Sequence, residues 1–501
     1  MITETQAPVV SIAPGRVRGF WRGEPGTTGA SAAFLGIPFA QAPIGDLRFA
    51  APVPPEPWEG TRDALEYGAT AQRGDKGITL IPEPSIPGES TLNVNVFTPA
   101  PGQMDAALPV LVYIHGGGYT AGSPASPWYD GRAFNRDGIV TVSVSYRLGF
   151  DGFGHIQGAP SNRGVRDWIA ALEWVRDNIA AFGGDPGRVT IAGQSAGGGA
   201  VLTLLGMPAA QHLFHAVWAL SGALGDIAPE RAWKLSAQLA KLAGVPPTRE
   251  GFASVPEARL LELQEQATAP AGGNPMAGVR VFLDEGLPWG PAIDGDLIPR
   301  ATPASLRAGV GADKPLVLGA TDDEFTMITD GAKSKLRFVP VSLALGQLGL
   351  GRAGRKAYLA ANEEARAKGT AATLGRYMTD KLFRTAVVRI ADIRHAQRAD
   401  SQTWVYRFSW SSPKMGWAVH CLDVPFWFDC LDADGVPAIA GDAPPAALAA
   451  SVHGAATAFV RDGDPGWTSW ATDIAAGRVF DGDPSTPAVM PNAFASVLAL
   501  M

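Results

Sequence analysis

The sequence contains little cysteine, since Cys421 and Cys430 are the only two in 501 residues. Their spacing matches no common metal-binding motif, and two cysteines cannot supply a disulfide framework. Such scarcity is typical of proteins from a reducing compartment. We therefore expect a cytoplasmic protein without a metal centre or structural disulfide bonds.

An excess of positive charge is also lacking. Lysine and arginine total 41 residues against 48 aspartates and glutamates, which gives a formal net charge of −7 at pH 7. No run of basic residues is dense enough to follow a phosphate backbone, so we expect no nucleic-acid partner. Long apolar runs are missing too, and residues 1–19 lack the basic and apolar regions of a secretory signal. The sequence thus predicts no membrane partner and favours a small, neutral or weakly charged ligand.

What the sequence does contain is a regular alternation of strand and helix patterns. Continuous apolar runs at 109–114, 139–144 and 216–220 are typical of strands that are covered on both faces. Residues 165–182 place apolar side chains at helical spacing. This order predicts an α/β fold in which helices flank a central, mostly parallel sheet.

The rest of the chain predicts additions to this sheet, so we interpret residues 1–501 as a single domain. We expect the proline-rich segment 32–58 to lie on the surface as an ordered wrap, because repeated proline is incompatible with a central strand or helix. Segments 225–310 and 330–400 are rich in alanine at helical spacing, and we interpret them as helical insertions beyond the sheet.

Residues 188–200 read RVTIAGQSAGGGA, a short apolar strand followed by a glycine-rich turn that carries Ser195. Gly193, Ala196 and Gly197 leave almost no side chain around this serine. In a G-x-S-x-G turn between a strand and a helix, a strained backbone holds the serine hydroxyl clear of the sheet. The alternative is a solvated serine in an ordinary turn, because glycine is frequent in this chain. The interpretation of Ser195 as a nucleophile therefore depends on whether the sequence also contains the residues that would act with it.

A second glycine-rich motif, IHGGGY at 114–119, ends the first apolar run. Consecutive N–H groups without side chains can bind the oxyanion that forms in acyl transfer. The predicted donors are the backbone N–H groups of Gly117, Gly118 and Ala196. We interpret His115 as a residue that shapes this loop. A simple flexible loop is the alternative.

A serine of this kind needs an acid and a histidine base, which follow it along the chain in that order. Of the late histidines, His395 and His453 lie in predicted helices, whereas His420 lies in a loop before a proline and an aromatic cluster. His420 is therefore the predicted base. The acid is predicted in TDDEF, but the residues alone leave the choice among the three acids at 322–324 open.

With these motifs in place, the sequence resembles the type B carboxylesterases, a family with the α/β-hydrolase fold. The resemblance covers nearly the whole chain and rests on FLGIPFAQAPIGDLRF, ESTLNVNVFTP, IHGGGY, GDPGRVTIAGQSAGG and PAIDGDLIP, in the family's order. The site residues that it implies are the nucleophile Ser195, the acid Glu324, the base His420 and an oxyanion hole of Gly117, Gly118 and Ala196. Asp322 and Asp323 are then expected at the surface or as caps of the loop.

Three positions depart from the family pattern. Gln194 replaces the usual glutamate before the serine, and this loss of negative charge predicts weak binding of cationic substrates. Thr91 replaces a cysteine, so the disulfide that the family has near its N-terminus cannot form. Phe325 replaces the glycine after the acid, where its ring could narrow the pocket or pack behind the loop.

The predicted insertions are expected to line the substrate pocket. The candidate substrate-binding residues are Trp128, Gln194, Trp289, Phe325 and Trp427. Aromatic side chains near such sites are also common as core residues, so packing is the competing interpretation.

Together these features predict a serine carboxylesterase that cleaves small esters with neutral or aromatic groups through an acyl-enzyme. No metal or organic cofactor is expected, and the protein is expected to be a monomer or a homodimer. An amide or carbamate hydrolase on the same scaffold is the nearer alternative. A non-catalytic binding module is the more distant one, and the presence of all three triad residues argues against it.

Overall fold

Two β-sheets are present in the part of the chain that the computed structural model describes, residues 7–74, 80–268, 275–483, 485–486 and 488–501. The strands are β1 (Val9–Ile12), β2 (Gly15–Arg18), β3 (Phe20–Arg22), β4 (Ser31–Pro38), β5 (Thr61–Asp63), β6 (Asn93–Thr98), β7 (Leu108–Ile114), β8 (Val140–Val144), β9 (Gly184–Gln194), β10 (Ala216–Leu220), β11 (Leu316–Thr321), β12 (Thr403–Phe408), β13 (Gly477–Phe480) and β14 (Val489–Met490). Strands β1, β2 and β5 form the smaller sheet. The other eleven form the central sheet.

The central sheet has the strand order β14-β13-β12-β11-β10-β9-β7-β8-β6-β4-β3. Neighbouring strands are parallel from β13 to β8 and antiparallel at both ends. The predicted α/β fold with a mostly parallel sheet is therefore confirmed. Because the central strands run in the same direction, their carboxyl ends meet at one edge, where sites form in such sheets.

Strand β7 shows why its sequence is continuously apolar. Val110, Val112 and Ile114 pack into one buried cluster, and Leu111 and Tyr113 pack into a second one. Successive side chains of a strand point to opposite faces, so each face of the sheet has its own core. Helices cover both faces, which leaves no solvated side for polar residues.

The α-helices of the described residues are α1 (Arg132–Arg136), α2 (Gly149–Phe153), α3 (Arg163–Asn178), α4 (Ala196–Leu205), α5 (Pro229–Ala243), α6 (Arg249–Ala253), α7 (Glu257–Thr268), α8 (Pro275–Glu285), α9 (Thr302–Arg307), α10 (Thr326–Asp330), α11 (Lys333–Leu336), α12 (Val341–Gln347), α13 (Arg352–Ala361), α14 (Glu363–Ala367), α15 (Thr370–Thr379), α16 (Thr385–Gln397), α17 (Val424–Trp427), α18 (Val436–Ala440) and α19 (Ala446–Asp462). A π-helical turn, Asp380–Arg384, joins α15 to α16. None of these helices has both the length and the apolar character needed to cross a membrane.

The helices of the two predicted insertions follow the strands that bracket the site. Helices α5 to α9 lie between β10 and β11, and α10 to α16 lie between β11 and β12. The sequence PAGGNPMAG at 270–278, which interrupts the helical spacing of the first predicted insertion, lies in part outside the described residues. The division into one domain with insertions at 225–310 and 330–400 stays a prediction.

The prediction for the N-terminal segment is wrong for its first part. Residues 32–38 belong to β4, a buried eight-residue strand that pairs with β3 and β6 inside the central sheet. Of the prolines in this segment, Pro38 only ends the strand, and the others come after it. The proline-free stretch AAFLGI can therefore donate its N–H groups to neighbours, as a strand inside a sheet requires.

The turn after β9 depends on very close packing between backbone atoms. A Cβ added at Gly197 would lie only 2.0 Å from the carbonyl oxygen of Ile114, at the end of β7. A Cβ at Gly193 would lie 2.4 Å from the carbonyl oxygen of Gly197. Glycine at these two positions thus lets the first turn of α4 sit directly on the ends of two strands.

We predict opposite effects for Gly197→Ala and Gly454→Ala, two changes within helices. At Gly197 the new methyl group must displace backbone atoms, so the free energy of unfolding falls by about 1–3 kcal/mol. Gly454 lies exposed in α19 with no atom within 4 Å of an added Cβ, so alanine raises stability by about 0.5–1 kcal/mol. Urea unfolding of both variants checks this, and equal effects contradict the close packing at Gly197.

Candidate active site

Ser195 occupies the sharp turn between β9 and α4. Its backbone angles are φ 59° and ψ −122°, a conformation that residues with side chains rarely adopt. The Ser195 N–H donates to the carbonyl oxygen of Leu220, and the Ser195 carbonyl oxygen accepts from the N–H of Ala223, both at 2.9 Å. These bonds to β10 and to the loop after it hold the strained turn in place.

The loop after β12 brings His420 to the same place. The Nδ1 atom of His420 is in hydrogen-bond contact with the Glu324 carboxylate, and the His420 N–H donates to the Glu324 carbonyl oxygen at 2.9 Å. Burial acts to lower the pKa of His420, but the thiol of Cys421 and the negative charge of Glu324 outweigh it and raise the pKa above its usual value. This arrangement orients the ring and stabilises its charged form.

Glu324 is fully buried in the turn that follows β11. The N–H of Thr321 donates to Glu324 Oε1 at 2.9 Å, which leaves Oε2 for the histidine. The structure therefore brings His420 to Glu324 rather than to Asp322 or Asp323.

The expectation that Asp322 and Asp323 lie at the surface is wrong. Asp322 is buried and forms an ion pair of 2.6 Å with Arg407 of β12. Asp323 is also buried, and it forms an ion pair of 3.0 Å with Arg376 of α15. Each carboxylate has a guanidinium partner, because a buried charge without one is costly.

The IHGGGY loop lies against the turn that carries Ser195. Gly117 and Gly118 have φ values of 103° and 62°, in the left-handed region that favours glycine. In the described residues neither of their N–H groups donates to a protein acceptor. The N–H of Ala196, the first residue of α4, has no partner within its own helix. These three donors are available to an anion.

His115 has the shaping role that we expected from the sequence. Its Nδ1 lies 2.8 Å from the Gly116 carbonyl oxygen, and its ring stacks on Tyr146 with centroids 4.5 Å apart. Burial lowers the pKa of His115 to about 4, so the ring stays neutral. These contacts hold the loop in shape.

A cavity of about 340 Å³ joins these groups. Ser195, His420, Gly117 and Gly118 lie in its wall. Its other lining residues are mostly apolar and include Leu80, Ile81, Tyr129, Leu224, Phe282, Leu287, Phe325, Leu382 and Phe383, with Glu83 as an acidic member. A largely apolar cleft with a few convergent polar groups is the usual form of a small-molecule site.

Three of the five candidate pocket residues do not line this cavity. Trp128 is fully buried and donates its indole N–H to the Asp434 carbonyl oxygen at 2.8 Å. Trp289 packs against Phe150, and Trp427 packs in the second core cluster. Placing these three at the pocket is therefore wrong, and core packing accounts for them.

Gln194 and Phe325 do line the cavity, and both contact the histidine. The Gln194 Nε2 atom lies 3.1 Å from His420 Nε2. The Phe325 ring lies 5.1 Å from the imidazole, measured between centroids. Phe383, which the sequence interpretation missed, covers the imidazole at the same centroid distance of 5.1 Å.

The cavity-lining residues that the sequence analysis did not select share one property: none of them lies in a recognisable motif. Phe282 and Leu287 come from the segment between β10 and β11, and Leu382 and Phe383 come from the segment between β11 and β12. The π-helical turn that carries Leu382 and Phe383 is a feature found at functional sites, but helical spacing alone does not reveal it.

Asp423 is a buried carboxyl group that the sequence interpretation did not select. Its Oδ2 accepts a hydrogen bond of 2.9 Å from the Tyr406 hydroxyl, and its Oδ1 has no partner among the described residues. Burial and the nearby charge of Glu324 raise the pKa of Asp423 to about 7. This group therefore changes its charge near neutral pH.

We predict that Asp423→Asn makes stability less dependent on pH. The folded-state pKa is raised, so this group's contribution to stability is greatest at acidic pH and is lost as pH rises through about 7. Asparagine keeps an acceptor for Tyr406 but cannot ionise. The variant should lose about 2 kcal/mol less than the wild type between pH 5 and pH 8.

Urea unfolding at both pH values measures this difference, with Asp105→Asn at an exposed position as the control. An unchanged pH dependence in Asp423→Asn contradicts the assignment of the raised pKa.

No group of three or more metal-binding side chains was found among the described residues. Cys421 and Cys430 are both free thiols.

Comparisons with known proteins give a consistent result. The sequence model of the carboxylesterase family matches residues 6–473. The para-nitrobenzyl esterase of Bacillus subtilis (strain 168) is 34% identical over 416 residues, 79% of each chain. The phenmedipham hydrolase of Pseudarthrobacter oxydans is 34% identical over 457 residues, 86% of each chain.

The crystal structure of a Geobacillus stearothermophilus carboxylesterase superimposes with a TM-score of 0.81 and 32% identity, covering 99% of this chain and 100% of that one. All three proteins carry the name of a hydrolytic enzyme, so the alternative of a non-catalytic binding module is not supported. This chain therefore belongs to the carboxylesterase family, has the α/β-hydrolase fold and is a carboxylic ester hydrolase.

Proposed function

We propose that the enzyme cleaves small, neutral esters through an acyl-enzyme on Ser195, with His420 as base and Glu324 as acid. The observation that carries this proposal is the contact between His420 Nδ1 and the buried Glu324 carboxylate, in the wall of the cavity that Ser195 also lines. A carboxylate in this position selects the tautomer in which Nε2 is free of a proton and can accept one.

In the first step, the Ser195 oxygen attacks the ester carbonyl while His420 Nε2 takes the hydroxyl proton. The carbonyl oxygen becomes an oxyanion, and in this proposal the N–H groups of Gly117, Gly118 and Ala196 bind it; the positions of the two glycines in the cavity wall and of Ala196 at the start of α4 support this role. As the intermediate collapses, His420 returns the proton to the leaving alcohol. Water then attacks the acyl-enzyme by the same steps, which releases the acid and regenerates Ser195.

The cavity supports a preference for small and uncharged groups. Its volume of about 340 Å³ and its apolar wall suit short acyl chains and aromatic alcohols. Aromatic rings from Phe282, Phe325 and Phe383 lie in this wall and can stack on such a group.

A carbamate hydrolase is the second candidate, and one relative favours it. That relative is named for the hydrolysis of phenmedipham, a carbamate. The same nucleophile, base and oxyanion donors would serve carbamates, since only the acyl half of the substrate and the reactivity of its carbonyl differ.

The cytoplasmic location and the monomeric or homodimeric state remain predictions. The two free thiols are compatible with a reducing compartment.

We predict that Ser195→Ala abolishes both the pre-steady-state burst with para-nitrophenyl butyrate and the acyl adduct in the intact mass, because no other group forms the covalent intermediate. Stopped-flow absorbance and mass spectrometry of the quenched enzyme measure the two signals. Ser334→Ala, at an exposed serine of α11, is the control and should retain both. A butyryl adduct that persists in Ser195→Ala contradicts the assignment.

A pair of matched substrates separates ester from carbamate hydrolysis. Para-nitrophenyl N-ethylcarbamate differs from the butyrate only in an NH that replaces the CH2 beside the carbonyl. We expect a higher kcat/KM for the ester, because nitrogen donates electrons to the carbonyl and slows both attack and deacylation. Equal or faster turnover of the carbamate favours the second candidate.

A further inference from the structure

The side-chain amide of Gln194 is in hydrogen-bond contact with Nε2 of His420, the ring nitrogen that accepts the serine proton in the proposed mechanism. Gln194 Nε2 lies 3.1 Å from His420 Nε2, and both side chains are buried. The other ring nitrogen faces Glu324. In the described residues Ser195 makes no hydrogen bond to the ring. The amide, and not the serine, is therefore the partner of Nε2 in this structure.

The orientation of the amide sets the direction of this bond. The NH2 end of the amide faces His420 Nε2, and an NH2 group only donates, so this arrangement fits a ring whose Nε2 is unprotonated and accepts. The proton of the neutral ring then lies on Nδ1, toward Glu324. This is the tautomer that a general base requires, and Gln194 recognises it from the side opposite to the carboxylate.

The IHGGGY loop at 114–119, which we call the oxyanion loop, leaves space for the amide of Gln194. A Cβ added at Gly116 would lie 3.1 Å from Gln194 Oε1 and 2.8 Å from the Gln194 carbonyl oxygen. Any larger residue at position 116 would therefore press on the side chain of Gln194. The glycine, the glutamine and the histidine form one packed unit.

We propose that Gln194 is a positioning residue that keeps His420 neutral and aligned until Ser195 takes its place, and so sets the lower pH limit of catalysis. This inference rests on the proposed function. A donor on Nε2 stabilises the neutral ring and disfavours the protonated one, because Nε2–H would then meet the amide hydrogens.

The hydrogen bond between the Gln194 amide and His420 Nε2 must also break during turnover, so that Nε2 can accept the proton of Ser195. When the ring accepts the serine proton, the amide has to rotate so that its oxygen faces Nε2–H, or it has to withdraw. A glutamate at this position would behave differently, since a carboxylate only accepts. It would attract the protonated ring and so raise the pH above which His420 can act as a base.

Other charged groups near the ring are the same in every variant tested below. On the elements packed around the imidazole they are Glu83 of the cavity wall, His115 of the oxyanion loop, Glu324, Arg384 beside Phe383, and Cys421 and Asp423 of the histidine's own loop. Arg384 is paired with Asp380 at 2.8 Å. A difference between the wild type and a variant at position 194 therefore reports on that position.

The test is the pH dependence of kcat/KM for para-nitrophenyl butyrate in the wild type, Gln194→Glu and Gln194→Met. Gln103→Glu makes the same charge change at an exposed position before β7, at the other end of this strand from the site, and serves as the control. Inactivation by diethyl para-nitrophenyl phosphate is measured over the same pH range. This second readout also depends on attack by Ser195 but not on deacylation.

On the acidic side of the pH profile, which we call the acid limb, activity falls as His420 becomes protonated. For Gln194→Glu, we expect the apparent pKa of this acid limb to rise by about 1 or more in both measurements. A rise of 1 lowers the unprotonated fraction of His420 by at most tenfold, so activity should fall by several-fold up to about tenfold relative to the wild type at pH 6, and by much less at pH 9. Gln194→Met removes the donor without adding charge, so the acid limb should shift in the same direction by less. Gln103→Glu should match the wild type.

Two outcomes overturn the inference. One is an acid limb with the same pKa in all four proteins. The other is a uniform loss of activity at every pH in Gln194→Glu, which indicates a structural role only. Failure of the proposed function is distinguishable, because the wild type itself would then show neither ester turnover nor inactivation.

Discussion

A buried carboxylate in contact with a buried imidazole ring is the interaction on which the rest of this site depends. Burying either group alone would be costly, and the pair is tolerated because each oxygen of Glu324 has a donor. One donor is the Thr321 N–H at the end of β11, and the other is His420 Nδ1. The geometry of the base is thus set by a strand end, which is a rigid part of the fold.

Buried ion pairs hold the turn that carries this carboxylate. Asp322 is paired with Arg407 of β12, and Asp323 with Arg376 of α15. Such pairs add little net stability, because desolvation offsets most of their attraction. Their contribution here is positional, since they tie the acid turn to β12 and to α15. The segment between β11 and β12, to which α15 belongs, also carries Phe383, which packs on the ring of His420.

Much of the fold could be predicted because its central strands repeat one physical pattern. The run at 109–114 and the helix at 165–182 are found close to where the sequence predicts them, since both faces of the sheet are buried and periodicity reports burial directly. The error at 32–38 has the opposite cause: prolines that follow a strand were taken as evidence against it.

The residues of the candidate site also fall into two groups, those that the sequence could predict and those that it could not. Ser195, Gly117 and Gly118 lie in motifs where a turn or a close approach restricts the residue type, so local sequence marks them. Phe282 and Phe383 line the cavity from two separate segments, one before β11 and one after it, and any apolar side chain at helical spacing would have looked the same. The prediction that Trp128 and Trp427 line the pocket is wrong, because a large aromatic residue near a motif can equally belong to the core.

The two departures from the family pattern that reach the cavity both contact the base. Gln194 meets His420 at Nε2, and Phe325 packs against the imidazole ring. Neither is simply part of a pocket wall, so a change at either position alters the environment of the proton acceptor as well as the shape of the cavity. An uncharged amide and an aromatic ring leave Glu324 as the carboxylate in direct contact with the histidine. The charge of the imidazolium is then balanced by a carboxylate on the Glu324 side of the ring only, and the side that Ser195 must approach meets an uncharged amide.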